Sequence, residues 1–164
     1  MLSCLKPCRN MNKPDTSFTI EDLDLELARR KTASKHLLPF TTYTFSDYQT
    51  GDHHRIICDH LEAVERKEIQ RLIIEMPPRH GKSELASVRF PAFFIGRNPD
   101  KQIITVSYGK ELSEGFSYQV RELVGSENYK HIFPGVQLAP DAAAKNRWRI
   151  KGHRGIYVAS SVDA

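Results

Sequence analysis

Gly81, Lys82 and Ser83 stand where an apolar run gives way, through a loop opened by Pro77-Pro78, to a helical pattern. That order of run, loop and helix is the setting in which a Gly-Lys-Ser tripeptide binds phosphate. Gly81 lets the backbone approach phosphate oxygens, Lys82 supplies a point charge to the β and γ phosphates, and the Ser83 hydroxyl is of the type that ligates Mg²⁺. The first amides of the following helix add free N–H donors and a positive dipole end. The loop Pro78-Arg79-His80-Gly81-Lys82-Ser83 is therefore the candidate nucleotide cradle, with ATP and Mg²⁺ as its cofactors. Arg79 and Lys82 are the candidate catalytic groups. Arg79 lies three residues before Lys82, where its guanidinium either stabilises charge on a γ phosphate or pairs with a surface carboxylate. His80 offers a further phosphate contact or a solvated ring, and Glu84 complements the helix N-terminus. Met76 occupies the place of the first glycine in the usual Gly-x-x-x-x-Gly-Lys-Ser pattern, so the match is partial.

The loop depends on its flanks. Residues 71–76, Arg-Leu-Ile-Ile-Glu-Met, form a short apolar run stopped by proline, which predicts a buried strand. Residues 82–95 read as a helix packing Leu85, Val88 and Phe93, kinked or shortened at Pro91. Asn98-Pro99-Asp100 is a turn, 102–108 a second strand, and 111–124 a helix with Leu112, Phe116, Val120 and Leu123 inside. Alternating strands and helices predict an α/β fold with parallel pairing and right-handed crossovers. Residues 147–150 and 155–162 predict a hairpin around Lys151-Gly152. Upstream, Thr19 and Asp22 predict a helix start, with Ile20, Leu23 and Leu27 as its apolar stripe and an end before Pro39. Residues 40–51 read as a loop leading to Asp52, which caps a helix carrying Ile57, Leu61 and Val64; Glu62 and Arg66 pair on its surface.

The 164 residues, 40% hydrophobic and 27% charged, suit one domain with one core. A net charge of +4 is compatible with a polyanionic partner without requiring one. Cys4, Cys8 and Cys58 are an odd set without metal-site spacing, which predicts free thiols in a reducing compartment. Residues 1–10 lack a signal-peptide core and no segment has the apolar length of a membrane span, so a soluble cytoplasmic protein is expected. Residues 1–17 read as a flexible leader and 18–164 as the domain. Lys145, Arg147, Arg149 and Lys151 alternate with Trp148 and Ile150, which gives either a DNA backbone track or a solvated face over a buried tryptophan. The pair His53-His54, residues 125–129 and His131 offer no metal geometry.

From about Pro39 to the last residue, the chain resembles the large subunit of tailed-phage terminases. The segments that carry this are Gly51-Asp52-His53-His54, the run through Pro77-Pro78-Arg79-His80-Gly81-Lys82-Ser83-Glu84, Ile103-Ile104-Thr105-Val106-Ser107-Tyr108-Gly109, Phe133-Pro134-Gly135 and Gly155-Ile156-Tyr157-Val158-Ala159-Ser160-Ser161. Met76 in place of glycine is itself typical of that family. The resemblance implies a P-loop NTPase-type parallel sheet flanked by helices, within an ATP-driven motor that packages double-stranded DNA in a bacterial host's cytoplasm. It also implies a portal protein and a small terminase subunit as partners, a homo-oligomer in the full-length protein, and an adenine contact from Tyr48 and Gln49.

Hydrolysis by such a motor needs an apolar strand ending in a carboxylate, to hold Mg²⁺ and place the attacking water. Glu75 belongs to the strand entering the loop, and Asp163 follows a polar stretch and reads as a turn residue. The expectation is a truncated ATPase segment, with its acidic element and nuclease domain absent, that binds nucleotide weakly without appreciable ATPase or nuclease activity. The alternatives are a helicase-like phosphate-loop protein and a non-enzymatic prophage remnant or DNA-binding module.

Overall fold

The computed structural model describes residues 19–140 and 144–162. The expectations for the 1–17 leader, for Cys4 and Cys8, and for Asp163 lie outside the described residues. The described chain is mixed α/β. Six α-helices, α1 (Ile20–Ala33), α2 (Leu37–Thr44), α3 (Asp52–Glu65), α4 (Phe90–Arg97), α5 (Lys110–Gly125) and α6 (Glu127–Ile132), surround a small sheet of β1 (Ile103–Ser107), β2 (Arg147–Arg149) and β3 (Ile156–Ser161). The sheet order is β1-β3-β2. β1 runs parallel to β3, with Ile103 opposite Tyr157 and Ser107 opposite Ser161, and β2 pairs antiparallel with β3. Among the described residues, no helix is long and apolar enough to cross a membrane.

α1 begins as its residues dictate: the Thr19 hydroxyl accepts from the Asp22 N–H while the Asp22 carboxylate bonds back to Thr19. The expected apolar stripe is on the wrong side, however. Ile20, Leu23 and Leu27 are exposed, and the inward face is Glu26, Arg30 and Ala33. The Tyr43 hydroxyl donates to Glu26, which also accepts from Arg30 at 2.8 Å, so a polar cluster holds α1 on α2.

α2 replaces the first part of the loop expected over 40–51. Pro39 is its third residue, where the missing N–H has no intrahelical partner to lose. Glu62 of α3 takes the free Leu37 N–H at 2.6 Å, so this residue is a buried cap for α2 as well as the expected partner of Arg66. Arg66 lies 3.8 Å from Glu62 and bonds more closely to Glu68, at 2.8 Å. Gly51, not Asp52, is the cap of α3.

Residues 71–76 are extended but belong to no sheet, which corrects the expected buried strand. Among the described residues, no backbone hydrogen bond ties them to a neighbour. Leu72, Ile74 and Met76 pack against the core, and alternation turns Ile73 outward at 85% exposure. Ile73→Lys is therefore expected to cost less than about 0.5 kcal/mol, against about 2–5 kcal/mol for Leu85→Ala at a fully buried position. Urea denaturation followed by far-UV circular dichroism checks both, and a cost above about 1 kcal/mol for Ile73→Lys would show that side chain to be covered.

The helix expected over 82–95 changes form just before Pro91. A π-helical segment, Glu84–Arg89, precedes α4, and the Phe90 N–H reaches back five residues to Leu85. The wider turn accommodates a proline that would otherwise crowd the preceding carbonyls. α5 buries Val120 and Leu123 as expected, with Phe116 packed against the core, but Leu112 is exposed and Ser113, Ser117 and Val124 are buried as well. Ser117 faces inward because its hydroxyl accepts from the Trp148 indole at 3.1 Å. α6 had no counterpart among the expected elements; it places Tyr129 in a ring cluster with Phe40 and Phe133 and lets its hydroxyl donate to the Ala92 carbonyl.

The expected hairpin is present, with Gly152 at φ +74 in its turn. Gly155 docks on the 98–100 turn through its N–H to Pro99, so closely that a Cβ would lie 2.1 Å from the Pro99 oxygen. Trp148 and Ile150 point inward and Arg147 and Arg149 outward, as the alternation requires.

Candidate phosphate-binding site

The loop between the extended run and the helix turns at two residues of positive φ, Arg79 at 66° and Gly81 at 79°. A non-glycine residue there is uncommon, and turns of this kind aim successive N–H groups into one concavity. Helical structure starts at Lys82, and the first helical bond from this turn runs from the Leu85 N–H to the Gly81 carbonyl at 3.0 Å. Lys82 and Ser83 thus occupy the opening of the helix, where amides lack partners. Both side chains are exposed, as are Pro78, Arg79 and His80. Among the described residues, no carboxylate pairs with Arg79 or Lys82.

Gly81 is confined from below. A Cβ on it would stand 2.7 Å from His54 Nε2 and 3.1 Å from the Tyr48 hydroxyl. His54, third residue of α3, accepts the Gly51 N–H on Nδ1 at 3.0 Å. Its Nε2 lies 3.1 Å from the His80 carbonyl and, since Nδ1 is already an acceptor, carries the proton and donates. One neutral imidazole thereby joins the cap of α3 to the phosphate loop. Burial lowers the His54 pKa below its ordinary value, and positive charge on His53 and His80 would lower it further; the bond to the His80 carbonyl acts in the opposite direction.

Tyr48 lies between Phe45 and His54, with ring centroids 6.0 and 5.2 Å away. Its hydroxyl is buried without a partner among the described residues, and burial pushes its pKa up to about 12. Tyr48 is in this way a support beneath Gly81, whereas Gln49 beside it is exposed. Glu84 is held by Arg89 at 2.6 Å, five residues on, the spacing that a π-helical turn brings to one face. Arg89 also donates to Thr44 and covers the Phe45 ring, which clamps the helix to the end of α2.

Of the residues expected in the site, Pro78, Arg79, His80, Lys82 and Ser83 are exposed around a half-buried Gly81, with exposed Gln49 and half-buried Tyr48 on the segment leading to α3. Sequence reasoning missed His54 as a support of the loop. Its available signal was its register, three residues after a cap glycine, where a side-chain acceptor commonly returns to the cap N–H. Among the described residues, no group of three His, Cys, Asp or Glu side chains is placed to hold a metal ion. No protein-family model, curated protein or solved structure matches the chain.

Proposed function

We propose that this chain binds nucleotide through a phosphate loop, as a segment of a terminase-type DNA-packaging ATPase with a P-loop NTPase-type sheet. The observation that carries the reading is the loop itself: Gly81 at positive φ with no room for a side chain, followed by exposed Lys82 and Ser83 at a helix start. This donor set fits a polyphosphate. Lys82 and the opening amides would hold phosphate oxygens, Ser83 would ligate Mg²⁺, and Arg79 would face the terminal phosphate. The bound Mg²⁺ would neutralise phosphate charge. The parallel β1 and β3, with α5 between them in sequence, agree with such a sheet.

Binding without appreciable hydrolysis is the form of activity proposed for this segment. The carboxylate nearest Lys82 in sequence, Glu84, is committed to Arg89. Double-stranded DNA, a portal protein, a small terminase subunit and a homo-oligomer of the full-length protein belong to the proposal through the resemblance alone.

Mg-ATP at ten times its Kd is expected to stabilise the chain by about 1.4 kcal/mol, a rise of about 3–6 °C in Tm. Lys82→Ala should abolish that rise. An equal shift in both proteins, or none in either at millimolar nucleotide, would overturn the reading. A second reading, a DNA-binding module that takes no nucleotide, draws on the outward Arg147 and Arg149 of β2 and predicts the second of those results.

A further inference from the structure

The His54 ring makes two bonds that hold different parts of the molecule. Nδ1 caps α3 by accepting from Gly51, while Nε2 donates to the carbonyl of His80, the residue before Gly81. The ring also lies where a Gly81 side chain would be, so the loop cannot settle closer while it is there. Only the neutral imidazole has one acceptor and one donor nitrogen. With a second proton, Nδ1–H would point at the Gly51 N–H, and a cation would sit at the positive end of α3. The ring would then have to turn, giving up its hold on His80.

We propose that His54 is the positioning residue of the phosphate loop and a proton-controlled latch on it, neutral when the loop is in its phosphate-binding shape and released in acid. The surroundings favour the neutral form. On α3 the ring meets His53 at 3.9 Å between centroids, with Asp52 at the helix start and Cys58 one turn on; the Tyr48 ring packs against it from the preceding segment. The loop side brings His80, with Arg79 and Lys82 in the same turn. Asp52 is exposed. Burial is the largest cause lowering the pKa of His54, the bond to the His80 carbonyl opposes it, and positive charge on His53 and His80 adds to the lowering, so the latched form is complete above the ordinary histidine range and is lost as pH falls through the depressed value.

This inference takes its ligand from the phosphate-binding reading, but its geometry stands apart from it. Asparagine presents an acceptor near the position of Nδ1, and glutamine a donor near that of Nε2. His54→Asn therefore keeps the cap and loses the loop, while His54→Gln keeps the loop bond and loses the cap. Calorimetric titration with Mg-ATP at pH 7.5 is expected to show His54→Asn about tenfold weaker than wild type and His54→Gln within about threefold of it. As pH falls from 7.5 through the depressed His54 value, wild type should weaken progressively more than His54→Gln, approaching about tenfold once the pH is well below that value, a comparison in which titration of the nucleotide cancels. Asparagine binding as well as histidine, or identical pH responses in wild type and His54→Gln, would overturn the latch.

A ligand-free measurement separates the two readings. In wild type, the Gly81 amide resonance should shift with the same midpoint as the His54 ring protons. If Mg-ATP fails to bind at any pH while Gly81 follows His54, the phosphate reading falls and the latch stands. A Gly81 resonance that stays still while His54 titrates would sink the latch, whatever binds.

Discussion

Gly81→Ala is expected to abolish Mg-ATP binding and to destabilise the chain by about 2–5 kcal/mol. Two independent costs contribute. Holding alanine at φ +79 costs roughly 1–2 kcal/mol, because Cβ crowds the carbonyl in the left-handed region. The added methyl also meets His54 Nε2 at 2.7 Å, and overpacking of that kind costs typically about 1–3 kcal/mol. His54 can yield only by surrendering the Gly51 or the His80 bond, so the damage passes to the start of α3. Urea unfolding of Gly81→Ala, His54→Ala and the double variant separates the contributions. Alanine at 81 should cost about 1–3 kcal/mol less in the His54→Ala background, since the clash with His54 is gone and mainly the backbone term remains. A cost below about 0.5 kcal/mol for Gly81→Ala alone would show that the loop adopts another shape.

Trp148→Ala is expected to cost about 3–5 kcal/mol, a large share of the 5–15 kcal/mol by which small domains are usually stable. Trp148 is 1% exposed and stacks on Tyr157 at 4.7 Å between centroids with a 10° tilt, so its loss opens a cavity where β2 meets β3. It also removes the indole N–H from the hydroxyl of Ser117, which is fully buried. Trp148→Phe keeps most of the volume and deletes the donor, and should cost about 1–3 kcal/mol. Far-UV circular dichroism is the suitable probe, because Trp148 is the only tryptophan and its replacement removes the fluorescence signal. A cost for Trp148→Ala near that of Trp148→Phe would mean that the stack contributes little.

Both positions were visible beforehand, for different reasons. Gly81 stood out by motif, and its positive φ and confined space agree with the need for glycine there. Trp148 stood out by alternation with Arg147 and Arg149, a period-two pattern that a strand converts directly into inside and outside. The 71–76 run shows where such reasoning ends. Its apolar content predicted burial, but burial of a strand requires neighbours on its edges and faces, and the described chain leaves Ile73 open. β1 is similar on its outward face, with Ile104 at 69% and Val106 at 60% exposure.

Local chemistry was thus determined by the sequence itself: the Thr19–Asp22 helix start, the Gly152 hairpin and the loop ending in Gly81, Lys82 and Ser83. Each depends on contacts within a few residues, where backbone sterics and spacing leave little choice. Only the tertiary structure decided which faces turn inward and what supports the loop. α1 turns Glu26 and Arg30 inward, half-buried, because Tyr43 of another helix satisfies them, and α5 buries Ser117 because Trp148 needs an acceptor. His54 supports the loop through a carbonyl twenty-six residues away. Such partners come together by packing, since a buried polar group must find its hydrogen bond wherever the fold brings one.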